Sequence, residues 1–529
     1  MDMLWNGWGD PIRATPLPDT VTELLRDVLG VKPRGTAPLR LEDIAVPDSP
    51  LDHAAHRALL TAVGEEHVRT DAETRIRHTR GKSTPDLLRI RAGDVSDVPA
   101  AVVLPASHDE VLAVLRACAA HDLPLVPFGG GTSVVGGLSP RRSVFVALDL
   151  RRMDALLALD PVSRTATLQP GLRAPQAEAL LAGHGFTLGH FPQSYEWATL
   201  GGFAATRSSG QASAGYGRFD EMVLGLTLAT PEGTLDTGRA PRSAAGPDLR
   251  QLLLGSEGAF GIITSVTVRI RPVPQTRHYE GWRFPSFEAG SAALRRLAQD
   301  GPRPTVLRLS DETETLIGLA QPDALASSRA QEAAGCLAIA GFEGTADDTA
   351  HRRNGATAVL RDCGGTPVGE DPGRRWADGR YSAPYLRDAL LDAGAFAETL
   401  ETAAYWSCLP ELYASVRETL TGTLTEAGTP PLVMCHISHV YENGASLYFT
   451  VVSAQGDDAV AHWTRAKHAA NEAILAAGGT ISHHHGVGTD HRDWYVREAG
   501  PLGVEALRAV KRRLDPAGLL NPGVLLPLD

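Results

Sequence analysis

The stretch richest in ionisable rings is ISHHHGVGTDH, residues 481–491. Adjacent His483, His484 and His485 could hold a metal, move protons, or belong to an ordinary buried loop. Neutral and protonated imidazole are both accessible near neutral pH, which suits proton transfer. A zinc site calls for an HExxH helix, or for mixed Cys, His and carboxylate ligands at helical spacing. Three adjacent histidines offer neither. In an extended segment His483 and His485 share a face and His484 points away. No metal is expected.

A second chemistry lies in the glycines. PFGGGTSVVGG (127–137) follows an apolar strand directly. Successive glycines let the backbone approach a bound group, and successive amides can form a nest for phosphate oxygens. Neither common nucleotide motif is met: Gly137 stands where a P-loop needs Lys, and Val134 where the dinucleotide fingerprint needs its last Gly. Alone, the run could be a tight turn. Two further small-residue stretches follow, PQSYEWATLGGFAATRSSGQASAGYGRFDEMVLG (192–225) and GSEGAFGIIT (255–264). Three such loops suit a long cofactor laid across many amides, and a dinucleotide fits better than a mononucleotide.

The elements that must position these loops are a mixture of helices and strands without regular alternation, which predicts an α+β fold. VPAAVVLP and LPLVPF read as strands around the helix SHDEVLAVLRACAAHD, where Ser107 and Glu110 have capping-box spacing. MVLGLTLATPEGTLDTG reads as a hairpin, and FGIITSVTVRI as a long strand. RPVPQTRH (271–278) marks a boundary. Beyond it RPTVLRLSD, GCLAIAGFEG, PPLVMCHISHV and GASLYFTVV are strands. A long helix before Gly478–Gly479 has a glycine stop. The expected division is a helical segment over 1–95, a cofactor domain over 96–275, a cap domain over 276–480, and a segment 481–529 that returns to the site.

With 529 residues, more than one core is expected. The balance of 50 Lys and Arg against 62 Asp and Glu gives a net charge of −12 and argues against a nucleic-acid binder. The five cysteines are scattered without a CxxC pair, which suits reduced thiols in the cytoplasm. MDMLWNGWGD does not read as a signal peptide, and no apolar run is long enough for a spanning helix.

PFGGGTSVVGGL, TLGGFAATRSSG and GSEGAFGIITSVTVRIRPVP, in that order and at that spacing, resemble the FAD flavoproteins of the vanillyl-alcohol-oxidase type. Within that superfamily the likeness is greatest to the alkylglycerone-phosphate synthase (alkyl-dihydroxyacetonephosphate synthase) family. WNGWG, RIRAGDVSDVPAAVVLP, PYLRD, ETLETAAYW, YENGASLYF, ISHHHGVG and LDPAGLLNPG carry it. Flavin D-lactate dehydrogenases usually place Gly-Glu-His where this chain has His483, His484 and His485. The resemblance implies a two-subdomain FAD-binding domain and an α+β cap, with FAD held non-covalently. Its contacts would be Pro127, Phe128, Gly129, Gly130, Gly131, Thr132 and Ser133 from the first loop. The second would give Gln193, Ser194, Thr199, Gly202, Thr206, Arg207, Ser208 and Ser209. The third would give Glu257, Gly258, Ala259, Gly261, Ile262 and Ile263, and the tail Asn521.

The implied reaction replaces the acyl group of acyl-dihydroxyacetone phosphate with a long-chain alkoxy group, without net redox change. The partners implied are that lipid phosphate and a fatty alcohol, a second copy of the chain, and a peripheral membrane contact. The alternative is an FAD-dependent oxidoreductase acting on a 2-hydroxy acid or alcohol. Tyr448 matches the family's catalytic tyrosine, and strand alternation puts it on one face with Ser446 and Thr450. Arg387 matches the substrate-binding arginine, and a guanidinium can grip two oxygens. Arg308 matches an arginine important for activity, expected to support the histidine loop. It stands in an apolar strand, where its charge needs a partner. His436 and His439 are candidate pocket residues; His78 and His491 read as structural. Among the triplet, His484 is the first choice for proton transfer, because it stands where the dehydrogenases have glutamate.

Overall fold

Strands of the first domain converge on the end of the strand Leu125–Phe128, where the first glycine loop begins. The computed structural model describes residues 2–33, 39–319 and 335–528, so parts of the expected N-terminal segment and cap lie outside it. Ala101–Val103 and Leu125–Phe128 both pair in parallel with Val146–Asp149, and Val68–Arg69 adds an antiparallel edge. The helix His108–Ala120 covers this sheet with Val111, Val114, Leu115 and Cys118. Ser107 caps it by accepting the Glu110 N–H at 3.2 Å, and Glu110 returns the bond to the amide of Ala106.

A second, antiparallel sheet runs Leu156–Asp160, Thr165–Leu168, Ile262–Arg269, Val223–Thr230, Gly233–Asp236. The last two form the expected hairpin. The two subdomains give the α+β FAD-binding architecture.

The cap is a seven-stranded antiparallel sheet. Its order is Thr366–Gly369, Thr276–Phe284, Cys336–Gly344, Val306–Ser310, Leu432–Val440, Gly444–Ala454, Ala395–Tyr405. One face is buried under the helices Phe287–Asp300, Leu409–Glu426 and Ala459–Ala476, around Phe284, Phe342, Leu412 and Phe449. Burial on this scale drives the assembly. The other face carries the polar side chains of the site. Gly478, at φ 74°, follows the helix Ala459–Ala476 as its left-handed stop. The tail returns to the first sheet, where Leu520 bridges to Leu125 in parallel. Among the described residues, no helix is long and apolar enough to cross a membrane.

Candidate active site

A cavity of about 860 Å³ lies between the two glycine-lined subdomains and the polar face of the cap. The first loop forms its floor, and the space behind that loop is full. A Cβ on Gly130 would stand 2.1 Å from the Trp197 carbonyl oxygen. The loop is thus pressed against its neighbour, and its open side faces the cavity. All seven residues expected from this loop line it. So do Gln193, Ser194, Thr199, Gly202, Thr206, Ser208 and Ser209. From the third loop come Glu257, Gly258, Gly261, Ile262 and Ile263.

Two expected contacts lie elsewhere. Ala259 is buried in the core of the second sheet and does not line the cavity. Arg207 turns away from it, donating to the carboxylate of Asp220 at 2.9 Å and to the carbonyls of Leu254 and Gln251. Its left-handed φ of 52° ends the helix Leu200–Thr206 and aims the side chain behind the wall.

Asn521 closes the cavity from the tail. Its Nδ2 donates to the carbonyls of Gly137 and Glu257, at 3.1 and 2.7 Å, while its Oδ1 is buried without a partner among the described residues. Gln211 Oε1, elsewhere in the lining, is likewise unpartnered among the described residues. Buried polar atoms of this kind call for a polar ligand. Amide-lined floor, volume and unmatched polar atoms together fit FAD.

The histidine segment is a turn wound around one carboxylate. Glu401, on the strand Ala395–Tyr405, accepts the Ser482 hydroxyl at 2.6 Å and the backbone N–H groups of His483, His484 and His485 at 2.7, 3.2 and 2.9 Å. Burial alone would raise the Glu401 carboxyl. The facing histidines and the Ser482 hydrogen bond outweigh it and hold the group well below the usual range. The turn is also tied to the third loop, because Glu257 accepts the N–H groups of Val487 and Gly488 at 2.6 and 2.8 Å. Burial pushes Glu257 up to about 7 against those two bonds. Gly488 has φ 56° and passes so close to the first loop that a Cβ would overlap the Val135 carbonyl oxygen.

His484 and His485 face the cavity; His483 does not line it. His483 Nδ1 lies 2.9 Å from His484 Nδ1, and its Nε2 lies 2.6 Å from the Tyr441 hydroxyl. His439 joins them from the strand Leu432–Val440, its Nδ1 held by the hydroxyls of Ser209 and Ser213 at 3.0 and 2.6 Å. Ring nitrogens of His439, His483 and His484 come within 4.8 Å of one another. Burial keeps all three rings neutral by lowering their pKa values, and it pushes His485 down to about 3.

Tyr448 stands at the centre. Its ring stacks on His436 at 4.9 Å and on His484 at 6.0 Å, and meets His485 edge-on at 5.6 Å. Burial pushes its phenol up to about 12, so it carries its proton. Thr450 shares its cavity face, as alternation implies. Arg308 has the partner its position demands: Glu314, at 3.0 Å. The His436 Nδ1 is 2.9 Å from the same Glu314 oxygen. Burial would raise Glu314, but His436 and Arg308 hold it far below its ordinary value. Arg308 therefore supports His436 and not the triplet. Arg387 reaches the cavity with its donors already engaged: Nε and Nη2 point to Asp388 Oδ1 at 3.2 and 3.0 Å, and Nη1 donates to the Lys82 carbonyl.

His78 pairs with buried Asp149 at 2.8 Å, and His491 Nδ1 meets the Gly486 carbonyl at 2.9 Å. Both stay outside the cavity lining. Glu401, Glu314 and Glu257 are site residues that sequence reasoning did not single out for these roles. A carboxylate surrounded by apolar strand residues, as in AETLETAA, is the signal that could have raised Glu401.

The FAD binding domain family matches residues 99–238, and the family of FAD linked oxidases, C-terminal domain, matches residues 273–525. Alkyldihydroxyacetonephosphate synthase of Trypanosoma brucei brucei is 33% identical, with 99% of this chain and 92% of that protein covered. The chain belongs to the alkyldihydroxyacetonephosphate synthase family. The synthase of Dictyostelium discoideum is also 33% identical, over 99% of this chain and 93% of that protein. A solved alkyldihydroxyacetonephosphate synthase structure superposes with a TM-score of 0.83 at 31% identity, covering 98% of each chain. Like other members of this synthase family, the chain is an FAD-dependent enzyme.

Proposed function

We propose that the enzyme is a redox-neutral alkyl transferase. It exchanges the acyl group of acyl-dihydroxyacetone phosphate for a long-chain alkoxy group, a step in ether lipid synthesis. One observation carries this reading: the cavity that holds Tyr448, His436, His484 and His485 is also lined by apolar side chains, Leu25, Val28, Ile317, Leu432, Met434 and Val452. A phenol and neutral imidazoles in one cavity with such an apolar lining, read here as an alkyl channel, suit a lipid whose reacting carbon must lose and regain protons.

When bound, FAD supplies a redox-capable ring that the overall reaction leaves in its starting state. The bond between C1 and the acyl oxygen breaks, the acyl group leaves as a carboxylate, and the alcohol oxygen forms the new bond to C1. The alcohol proton passes to a base and balances the departing carboxylate. His484, neutral and cavity-facing, accepts protons; Tyr448, protonated, donates. His485 completes the acid–base set, and His483 orients His484 through their paired Nδ1 atoms. Arg308 fixes His436 against the Tyr448 ring, and Arg387 adds positive potential near Lys82. The loop residues that line the cavity, with Asn521, would hold the cofactor.

The same reading includes a homodimer, implied by the resemblance, and a cytoplasmic protein that touches membranes peripherally. Exposed Leu24 and Val28 at the channel mouth support the last point.

The test is product analysis with acyl-dihydroxyacetone phosphate and hexadecanol, read beside the visible flavin spectrum. Ether product without flavin reduction is expected. Rapid anaerobic bleaching by 2-hydroxy acids, with no turnover of the lipid phosphate, would overturn the reading. Tyr448→Phe should keep FAD and lose activity by about 10²–10⁴-fold.

A further inference from the structure

Arg380 carries a guanidinium with no carboxylate in salt-bridge range among the described residues. It follows the helix Asp371–Gly379 and lines the cavity opposite the second glycine-rich segment. Its Nε and Nη1 are buried and have no hydrogen-bond partner among the described residues. Those two nitrogens carry three of the five N–H donors of an arginine. A hydrogen bond with the Tyr381 hydroxyl engages another part of the group.

Three rings hold the guanidinium in place. Its Cζ lies 4.9 Å from the ring centre of Phe191, 5.1 Å from Tyr381 and 5.9 Å from Trp376. Tyr381 stacks in turn on Tyr195 at 5.2 Å, which anchors the group to the cofactor domain. Aromatic faces attract a cation but do not neutralise it. A cation held in a partly dry wall without a carboxylate is costly, and an incoming anion relieves that cost.

The contrast with Arg387 decides the assignment. All three nitrogens of Arg387 already have acceptors, in Asp388 and the Lys82 carbonyl. Arg308 is paired with Glu314. Arg380 is also tied to the reacting groups. Its carbonyl accepts Gln211 Nε2 at 3.1 Å, and Gln211 lies between Ser209 and Ser213, which hold His439.

We infer that Arg380, and not Arg387, makes the direct contact with the phosphate of the substrate. This rests on the proposed transferase function and refines it. The pyrophosphate of FAD has the same chemistry, and the residues of the first glycine loop, Gly129 to Ser133, would hold it. Arg387 then acts as a positioning residue that fixes Asp388 and the Lys82 backbone beside the site.

The test uses the FAD-loaded enzyme as wild type, Arg380→Gln, Arg380→Lys and Arg387→Gln. FAD content is read from visible absorbance, and dihydroxyacetone phosphate binding from the flavin difference spectrum. KM is measured for acyl-dihydroxyacetone phosphate and for its unphosphorylated counterpart. Arg380→Gln should keep its FAD and weaken phosphate-substrate binding and KM by about 10–100-fold. The unphosphorylated substrate should be handled as by wild type. Arg380→Lys should restore part of the affinity, since charge remains while planarity is lost. It also serves if the glutamine variant does not fold; an unchanged KM in it would then overturn the inference.

Wild-type affinity in Arg380→Gln, with loss in Arg387→Gln, would reverse the assignment. Loss of FAD with normal substrate affinity after reconstitution would give Arg380 to the cofactor. If wild type turns over the lipid phosphate and Arg380→Gln does so equally, the inference fails and the function stands. If wild type binds dihydroxyacetone phosphate through Arg380 but makes no ether, the function fails and the phosphate site stands. If wild type binds none, both fail.

Discussion

Glu401 organises the histidine triplet through backbone donors, so its charge controls geometry more than proton transfer. Replacing it with Gln keeps the shape but sets an amide NH₂ against N–H groups. Glu401→Gln should cost about 1–3 kcal/mol in thermal unfolding. It should also lower turnover more than it raises KM. The buried histidines give a pH signature of their own. His485 is pushed down to about 3 and His491 to about 4, in each case first by burial. Unfolded, each titrates near about 6.5. Between those values the unfolded chain binds more protons, so stability is full above about pH 6.5 and is lost as pH falls toward 4 and then 3. Thermal unfolding at neutral and mildly acid pH should show a falling Tm. A Tm that stays level would mean these rings are protonated in the fold.

At the scale of elements, the loops are shaped by close approach. Gly130→Ala forces a Cβ onto the Trp197 carbonyl. It should lower FAD content sharply and cost about 1–3 kcal/mol of stability; the flavin-to-protein absorbance ratio checks it. These loops were legible because a glycine run is local information. So were the hairpin, the capped helix and the polar face of Tyr448. The carboxylate placements were not. Glu401 meets Tyr448 only through the register of two eleven-residue strands. Glu314 meets Arg308 across a strand-to-helix turn, and His436 from another strand. Such pairings depend on sheet order, which one strand cannot reveal. The strand Thr276–Phe284 was obscured by its charged, glycine-interrupted sequence, where only a boundary was expected.

At the scale of the molecule, the apolar channel joins the reacting centre to the helix Asp19–Leu29 at the surface. Leu24→Asp combined with Val28→Asp should reduce turnover with hexadecanol roughly tenfold, since two apolar surfaces that an entering alkyl chain would cover are replaced by charge. A short water-soluble alcohol should react as with wild type. Equal loss for both alcohols would place the helix outside the substrate path.

Asn521 bears on how the protein is made. Its amide reaches back across 384 residues to the carbonyl of Gly137. While the ribosome is still adding the cap, all three glycine loops already exist, yet this wall of the cradle does not. Firm flavin capture therefore waits for the segment that carries Asn521. A chain truncated before Asn521 should exchange FAD freely.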